Sequence, residues 1–376
     1  MMQLELSELQ ILFLIIFSIG ILGQIGYYLF FYSKLAFYKL PIENQSPNFP
    51  ISVIISARNE YENLEKNLTS ILEQDYPDFE VIVVNDCSWD DSQKLLEYYQ
   101  EQYPKLKICT IIEQEKYPTG KKFALTIGIK AAIHEHLVFT DADCTPASKN
   151  WLKHMASGFT NGKEIVLGYS PDRRTSGLLN LFIRYDCAYT GMAYFSAALQ
   201  NNAFMGVGRN LAYTKTLFFK HKGFAGHQHI LGGDDDLFVR DAANPTNVSV
   251  QLNPESFVLT DAKKTYEEWN RQKSRHHSTG KYYKIRHQVL LGGFYAGLLF
   301  FYLGLGLTLG SLVDWRLILL LYGVKMIVQF VISYMAFNKL KQKNIVWFIP
   351  LLDILYLFFV YIFGFKGLVT KKRKIW

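Results

Sequence analysis

The sequence predicts an α/β protein: a Rossmann-like domain with a parallel sheet, set between one N-terminal and two to three C-terminal transmembrane helices. Two observations predict this. Long uncharged runs occupy both ends of the 376-residue chain, and between them short β-branched runs alternate with polar helical stretches. The runs at residues 9–33 and 288–313 hold 25 and 26 residues without a formal charge, more than the ~20 a helix needs to cross a bilayer core. With 24 Tyr, 28 Phe and 6 Trp there is ample surface to bury, which excludes a disordered chain.

The elements follow in order. Residues 1–36 carry the first membrane helix, over about 9–32. In the central domain, 37–262, residues 51–56 read as a buried strand and 62–73 as a helix. Residues 79–84 are the next strand, 91–102 a helix, 106–112 a third strand; a helix starts beyond Gly120, and 136–140 is a fourth strand. Continuous apolar strands separated by helices at this spacing indicate a parallel sheet covered on both faces. Residues 263–287 read as an interfacial amphipathic segment, in which eight Lys or Arg stand against Glu267 and Glu268 and interleave with Tyr266, Trp269, Tyr282 and Tyr283. Residues 288–376 form a C-terminal transmembrane region with a basic tail. Its later apolar segments, 317–337 and 345–365, each embed one charge, Lys325 and Asp353. Running antiparallel across a short loop, these two come within ~6 Å in depth, and pairing avoids an isolated charge in the bilayer.

Charge placement narrows the partners. Much of the net +7 lies in 263–287 and in the tail, Lys366, Lys371, Lys372, Arg373 and Lys374. Both stretches abut apolar segments, so anionic membrane lipids are expected rather than nucleic acid. No Lys or Arg precedes the first helix, whereas Lys34 and Lys39 follow it, which places the central domain in the cytosol. Four full spans would put the basic tail outside, against the same rule. The last segment, with Pro350 and Asp353 inside it, is therefore expected to cross incompletely, or the tail to be an exception. Cys87, Cys109, Cys144 and Cys187 form no CxxC pair and no zinc spacing, which suits a reducing compartment. The first apolar run is too long for a signal peptide.

Ligands of open α/β sheets gather beyond the carboxyl ends of the strands. After the first strand comes Ala57-Arg58-Asn59-Glu60, without the GxGxxG of a dinucleotide site. After the second comes Asn85-Asp86-Cys87-Ser88, and after the fourth Asp141-Ala142-Asp143. Two acids flanking a small residue at a strand end can hold Mg²⁺ or Mn²⁺ against a diphosphate, although acids cap turns just as readily. Asp234-Asp235-Asp236 stands at an expected helix start, where acids are also tolerated for electrostatic reasons alone. Gln272, Arg275 and His276 add polar and cationic groups shortly before the second membrane run.

In this order the motifs resemble the membrane-bound, inverting family 2 glycosyltransferases of GT-A fold, over about residues 50–290. The resemblance implies a GT-A nucleotide-sugar-binding domain and a multi-pass protein, of the kind found in the bacterial inner membrane. It implies donor contacts at Ala57, Glu60, Asp86, Lys121 (in Gly120-Lys121), Asp141 and Asp143, with Asp143 and Asp141 on the metal. Gly208 and Asn210 resemble the acceptor-facing Gly-x-Asn segment, and Gln272, Arg275 and His276 resemble a Gln-x-x-Arg-Trp motif with His in place of Trp. Gly233 stands where the family has Glu before its catalytic Asp, which leaves Asp234 and Asp235 as alternatives for the base. The expected reaction is transfer of a sugar from a nucleotide-diphosphate donor, a UDP-sugar foremost, to a lipid or lipid-linked acceptor. Two rivals are a processive polysaccharide synthase, which would want the missing Trp, and a non-catalytic nucleotide-sugar-binding membrane scaffold, which would not need every acid of the chemistry.

Overall fold

The computed structural model describes residues 6–41, 48–113, 120–230, 232–311 and 313–369. The expected basic tail at Lys371, Lys372, Arg373 and Lys374 lies outside the described residues. Helix α1 (Glu8–Gly26) continues through a π-helical stretch (Tyr27–Tyr32) into a short α2 (Ser33–Ala36). There follow β1 (Ile51–Ala57), α3 (Tyr61–Leu72), β2 (Phe79–Asp86), α4 (Ser92–Gln102), β3 (Leu106–Ile111), α5 (Lys121–Ala131) and β4 (His136–Phe139). Next come β5 (Cys144–Pro146), α6 (Trp151–Ser157), β6 (Ile165–Leu167), α7 (Leu178–Ala198), a 3₁₀ turn (Gly208–Asn210), β7 (Leu211–Thr214) and α8 (Lys215–Lys220). The remaining elements are α9 (Asp236–Ala242), β8 (Val248–Val250), β9 (Val258–Thr260), α10 (Tyr266–Gly280), α11 (Ile285–Gly310), α12 (Trp315–Lys339) and α13 (Ile349–Val369). The chain divides into two units, Lys39–Tyr282 and the pair of segments Met1–Tyr38 and Tyr283–Trp376.

The first unit is built on a seven-stranded sheet of order β3-β2-β1-β4-β7-β6-β8. Strands β1 to β4 are parallel, and Ile51, Val53, Ile54, Ile55 and Val81 to Val84 are fully buried. Leu64, Leu68, Ile71 and Leu72 of α3 and Leu96 of α4 cover one face, each buried side chain contributing about 1.5–3 kcal/mol. The four strands expected from the sequence are parallel; β7, which the sequence does not mark, runs antiparallel to both β4 and β6. Leu211 pairs with Phe139, so the Gly208–Asn210 turn delivers β7 at the carboxyl end of β4 and sends it back. That reversal sets the turn beside the loop that carries Asp141 and Asp143. Helix α10 opens on a Thr265/Glu268 capping box. Trp269, expected among lipid headgroups, is instead buried, its ring 5.3 Å from Phe182 of α7, and Lys273 pairs with the buried Asp186 of the same helix.

The second unit contains four helical segments long and apolar enough to cross a membrane: Glu8–Ala36, Ile285–Gly310, Trp315–Lys339 and Lys343–Ile362. Pro350 falls in the first turn of α13, where its missing N–H costs nothing, so it does not interrupt the last segment. Helices α1 and α11 meet backbone to backbone. A Cβ on Gly20 would lie 2.2 Å from the Phe301 nitrogen, and one on Gly304 2.5 Å from Phe17 Cα. Such close approach is how small residues bring apolar helices together. Lys325 and Asp353 do pair: Nζ lies 3.7 Å from Oδ2, both side chains fully buried or nearly so. Gln329 completes the link, accepting from Lys325 at 2.5 Å and donating to Asp353 at 2.8 Å.

Candidate active site

Because β1 pairs with both β2 and β4, the loops after these three strands are neighbours. Four hydrogen bonds clip the first two loops together. Asn59 N–H donates to Ser88 Oγ (2.9 Å), Trp89 N–H to Asn59 Oδ1 (2.9 Å), Glu60 N–H to Ser92 Oγ (3.2 Å) and Tyr61 N–H to Asp90 Oδ2 (3.1 Å). Ala57 is buried at the end of β1. Glu60 accepts from Asn63 Nδ2 at 2.5 Å. Burial raises the Glu60 carboxyl, the Asn63 hydrogen bond offsets part of that, and the charges of Asp143 and Asp141 raise it further. Glu60 and the Asp-x-Asp pair therefore share one electrostatic neighbourhood. Asp86, closing β2, is buried with one carboxylate oxygen, Oδ1, that no described residue satisfies.

Lys121 opens α5 and reaches across the cleft. Its ammonium lies 2.8 Å from Asp141 Oδ1 and 3.2 Å from Asp234 Oδ2. Burial opposes its charge, but Asp141, Asp234 and Asp235 together hold its pKa above the ordinary value. The neighbouring Lys122 donates to the carbonyls of His227 (2.5 Å) and Ile230 (2.7 Å), anchoring the segment that leads to the three aspartates. Gly232 and Gly233 follow with φ of +84° and +83°. A side chain at 233 would be strained there and would meet Leu237, which gives Gly233 a local reason for standing where the family has Glu.

The two candidate bases differ. Asp235 accepts from Gly208 N–H at 2.8 Å and from Asp236 N–H at 2.7 Å, capping α9. Burial and the charges of Asp234 and Asp236 push its carboxyl up to about 7. Asp234 is buried too, but Lys121 overrides the desolvation and holds it below the usual carboxylate range. Asp236 accepts from Thr279 Oγ1 of α10 at 2.5 Å. On the same helix Gln272 is half-buried, and Arg275 and His276 are exposed. Arg275 runs alongside the glycine turn, its Cγ 3.9 Å from where a Gly232 Cβ would stand.

Lys121, Thr140, Asp141, Gly208, Asp234 and Asp235 thus line one cleft, walled by Leu125, Phe139, Leu211 and Tyr213. Asn210 is not brought to it. Its side chain is fully buried, donating to the Tyr169 and Ser256 carbonyls (2.9 and 2.8 Å) and accepting from Trp151 Nε1 (3.0 Å). The expected acceptor-facing asparagine is a core residue, because the turn points it into the interior. Lys122 and Thr279 are additions that the motifs do not single out. Adjacency to Lys121 is the one signal for the former, and nothing in the sequence ties Thr279 to Asp236. Among the described residues no three His, Cys, Asp or Glu side chains form a metal cage. Asp141 and Asp143, in the one loop after β4, fit the other mode, in which Mg²⁺ or Mn²⁺ takes one or two carboxylates and completes its shell with phosphate oxygens.

Residues 52–226 match the family described as Glycosyl transferase family 2. Glycosyltransferase AglE of Haloferax volcanii is 34% identical over 121 residues, 31% of this chain and 38% of that protein. The poly-beta-1,6-N-acetyl-D-glucosamine synthase of Staphylococcus epidermidis is 30% identical over 93 residues, 25% of this chain and 21% of that one. The chain therefore spans less than half the length of these curated relatives. Among solved structures, the mannosyltransferase PcManGT from Pyrobaculum calidifontis, in complex with GDP-Man and Mn²⁺, has a similar fold. Its TM-score is 0.57 at 18% identity, with 89% of this chain and 99% of that one covered.

Proposed function

We propose that this chain, whose residues 52–226 match Glycosyl transferase family 2 and whose fold resembles a solved mannosyltransferase, transfers a sugar from a nucleoside-diphosphate sugar to a lipid or lipid-linked acceptor, inverting the anomeric carbon. One observation supports this most: Lys121 ties Asp141 to Asp234 across a single cleft, with Gly208 and Asp235 closing it. Donor-side and acceptor-side carboxylates are thereby a few ångströms apart. The acceptor hydroxyl oxygen attacks the anomeric carbon as the bond to the diphosphate breaks, and Asp234, kept ionised by Lys121, takes the hydroxyl proton. Asp143 and Asp141 would hold a Mg²⁺ or Mn²⁺ ion, whose contribution is to neutralise the leaving diphosphate. Arg275, exposed beside the Gly232 turn, adds a mobile cation to the same task. The unsatisfied Asp86 oxygen suits an N–H donor of the nucleobase. The four apolar helices favour an acceptor drawn from the membrane, and the Lys and Arg distribution favours a cytosolic catalytic unit.

The test is transfer by membranes containing the full chain, offered a panel of radiolabelled UDP- and GDP-sugars with Mg²⁺ or Mn²⁺. Label in the organic-solvent extract is the expected result. Label in insoluble polymer would favour a processive synthase, and binding without any transfer would favour a non-catalytic scaffold.

A further inference from the structure

The turn Gly208–Asn210 gives its three residues separate fates. The N–H of Gly208 goes to Asp235, and Asn210 is sealed in the core. Between them stands Arg209, whose guanidinium carries five N–H donors in a rigid fork. Its side chain is only 20% exposed, yet among the described residues its one partner is Asp172, at 3.9 Å. That distance is an ion pair beyond hydrogen-bond reach, so the fork has no hydrogen-bond acceptor among the described residues. Its terminal nitrogens are not among the buried polar atoms lacking a partner, so they open to solvent rather than into the core.

The surroundings locate that opening. Thr260 of β9 pairs with Cys144 on one side and bridges to Asp172 on the other, and its hydroxyl donates to the Asp143 carbonyl at 3.4 Å. Asp172 and Asp143 therefore flank one backbone position. The charge of Arg209 is felt at both: burial works against it, while Asp172 first, and Asp143 among others, raise its pKa. Lys273, the other cation facing Asp172, is already held by Asp186. Arg209 thus stands beside Gly208, whose N–H holds Asp235, and within the field of Asp143, the carboxylate expected on the metal.

We propose that Arg209 is a substrate-binding residue, its free fork taking the oxygens of a phosphoryl group at the Asp143 end of the cleft. A planar guanidinium matches a phosphate bidentately, which an ammonium cannot do. This rests on the sugar-transfer reading. The phosphoryl group has two sources there: the donor's diphosphate, or a phosphate carried by a lipid acceptor.

The experiment uses purified full-length chain in detergent, as wild type, Arg209→Lys and Arg209→Gln. Binding of UDP, GDP and inorganic pyrophosphate is measured by calorimetry with Mn²⁺ present, donor and acceptor KM by transfer, and stability by thermal unfolding. Both substitutions should weaken a phosphate-bearing ligand by roughly tenfold or more with the melting temperature little changed, since charge-assisted hydrogen bonds contribute about 1.5–3 kcal/mol. A loss on the nucleotides and pyrophosphate assigns the donor diphosphate; a rise confined to the acceptor KM assigns a lipid phosphate. Arg209-dependent pyrophosphate binding by a protein that transfers no sugar would support this inference and sink the reading it rests on. Unchanged affinities and KM values with a lowered melting temperature would overturn it, leaving Arg209 as a counterion to Asp172. So would a Lys variant that binds every ligand as wild type does.

Discussion

Asp234 and Asp235 are adjacent in the chain and hold protons differently, because Lys121 keeps Asp234 ionised while burial and the charges of Asp234 and Asp236 raise Asp235 against the pull of its backbone N–H partners. The motif alone leaves the base open between them; the contacts favour Asp234 for the chemistry and Asp235 for holding the Gly208 turn. A pH effect follows. The Asp235 carboxyl, raised to about 7, stands above the ~3.9 of an unfolded chain. Its contribution to stability is complete below the unfolded value and is lost as pH rises through 7. Asp235→Asn should therefore flatten the fall in melting temperature of the full chain between pH 5 and 8, and parallel wild-type and variant curves would refute this. Asn210 shows where spacing misleads: the motif finds the turn but not the direction of its side chains. Three buried hydrogen bonds, each worth about 0.5–1.5 kcal/mol net, make Asn210→Ala a loss of roughly 2–4 kcal/mol. That loss should appear in denaturant unfolding; a raised acceptor KM at unchanged stability would restore the acceptor-facing role.

Strands β1 to β4 are legible because apolar and β-branched residues dominate each, as at Val53–Ile55, Val81–Val84 and Leu137–Phe139, between polar turns. Strands β6 and β8 have three residues each, too few for any periodicity, and β7, no shorter than β4, runs antiparallel because of a turn whose geometry the sequence does not spell out. Two residues of helix α10, Trp269 and Lys273, depart from the expectation for another reason. Aromatics interleaved with cations look alike whether they face lipid or protein, and the groups that bury Trp269 and hold Lys273 lie on α7, about 90 residues earlier. The same helix is tied to the aspartate cluster through Thr279 and Asp236. Thr279→Val keeps the shape and removes the bond, so kcat should fall roughly tenfold, from about 1.5–3 kcal/mol for a hydrogen bond to a charged group, with nucleotide affinity kept. Hydrogen exchange should quicken at the start of α9. Normal kcat and normal exchange would mean that α10 does not position the cluster.

The whole chain combines an α/β unit, legible from its alternating strands and helices, with four helical segments long and apolar enough to cross a membrane, legible from where charge is absent. Matching depths in antiparallel helices foretold the Lys325–Asp353 pair, but not Gln329, which lies one turn along α12 and joins the two. Lys325→Leu or Asp353→Leu alone leaves a charge at a depth where insertion costs at least ~2.5–3.5 kcal/mol. Each should lower the yield of folded, detergent-extracted protein, and the double variant should recover much of it. A double variant no better than either single one would contradict the pairing. The central claim, that Asp234 is the base of a sugar transfer, is tested most directly by Asp234→Asn in the purified full chain. Turnover, followed as nucleoside diphosphate released from the active donor, and donor affinity, by calorimetry, should separate. Turnover should fall by roughly 10²–10⁴ while donor binding stays close to wild type; wild-type turnover in Asp234→Asn would contradict the account.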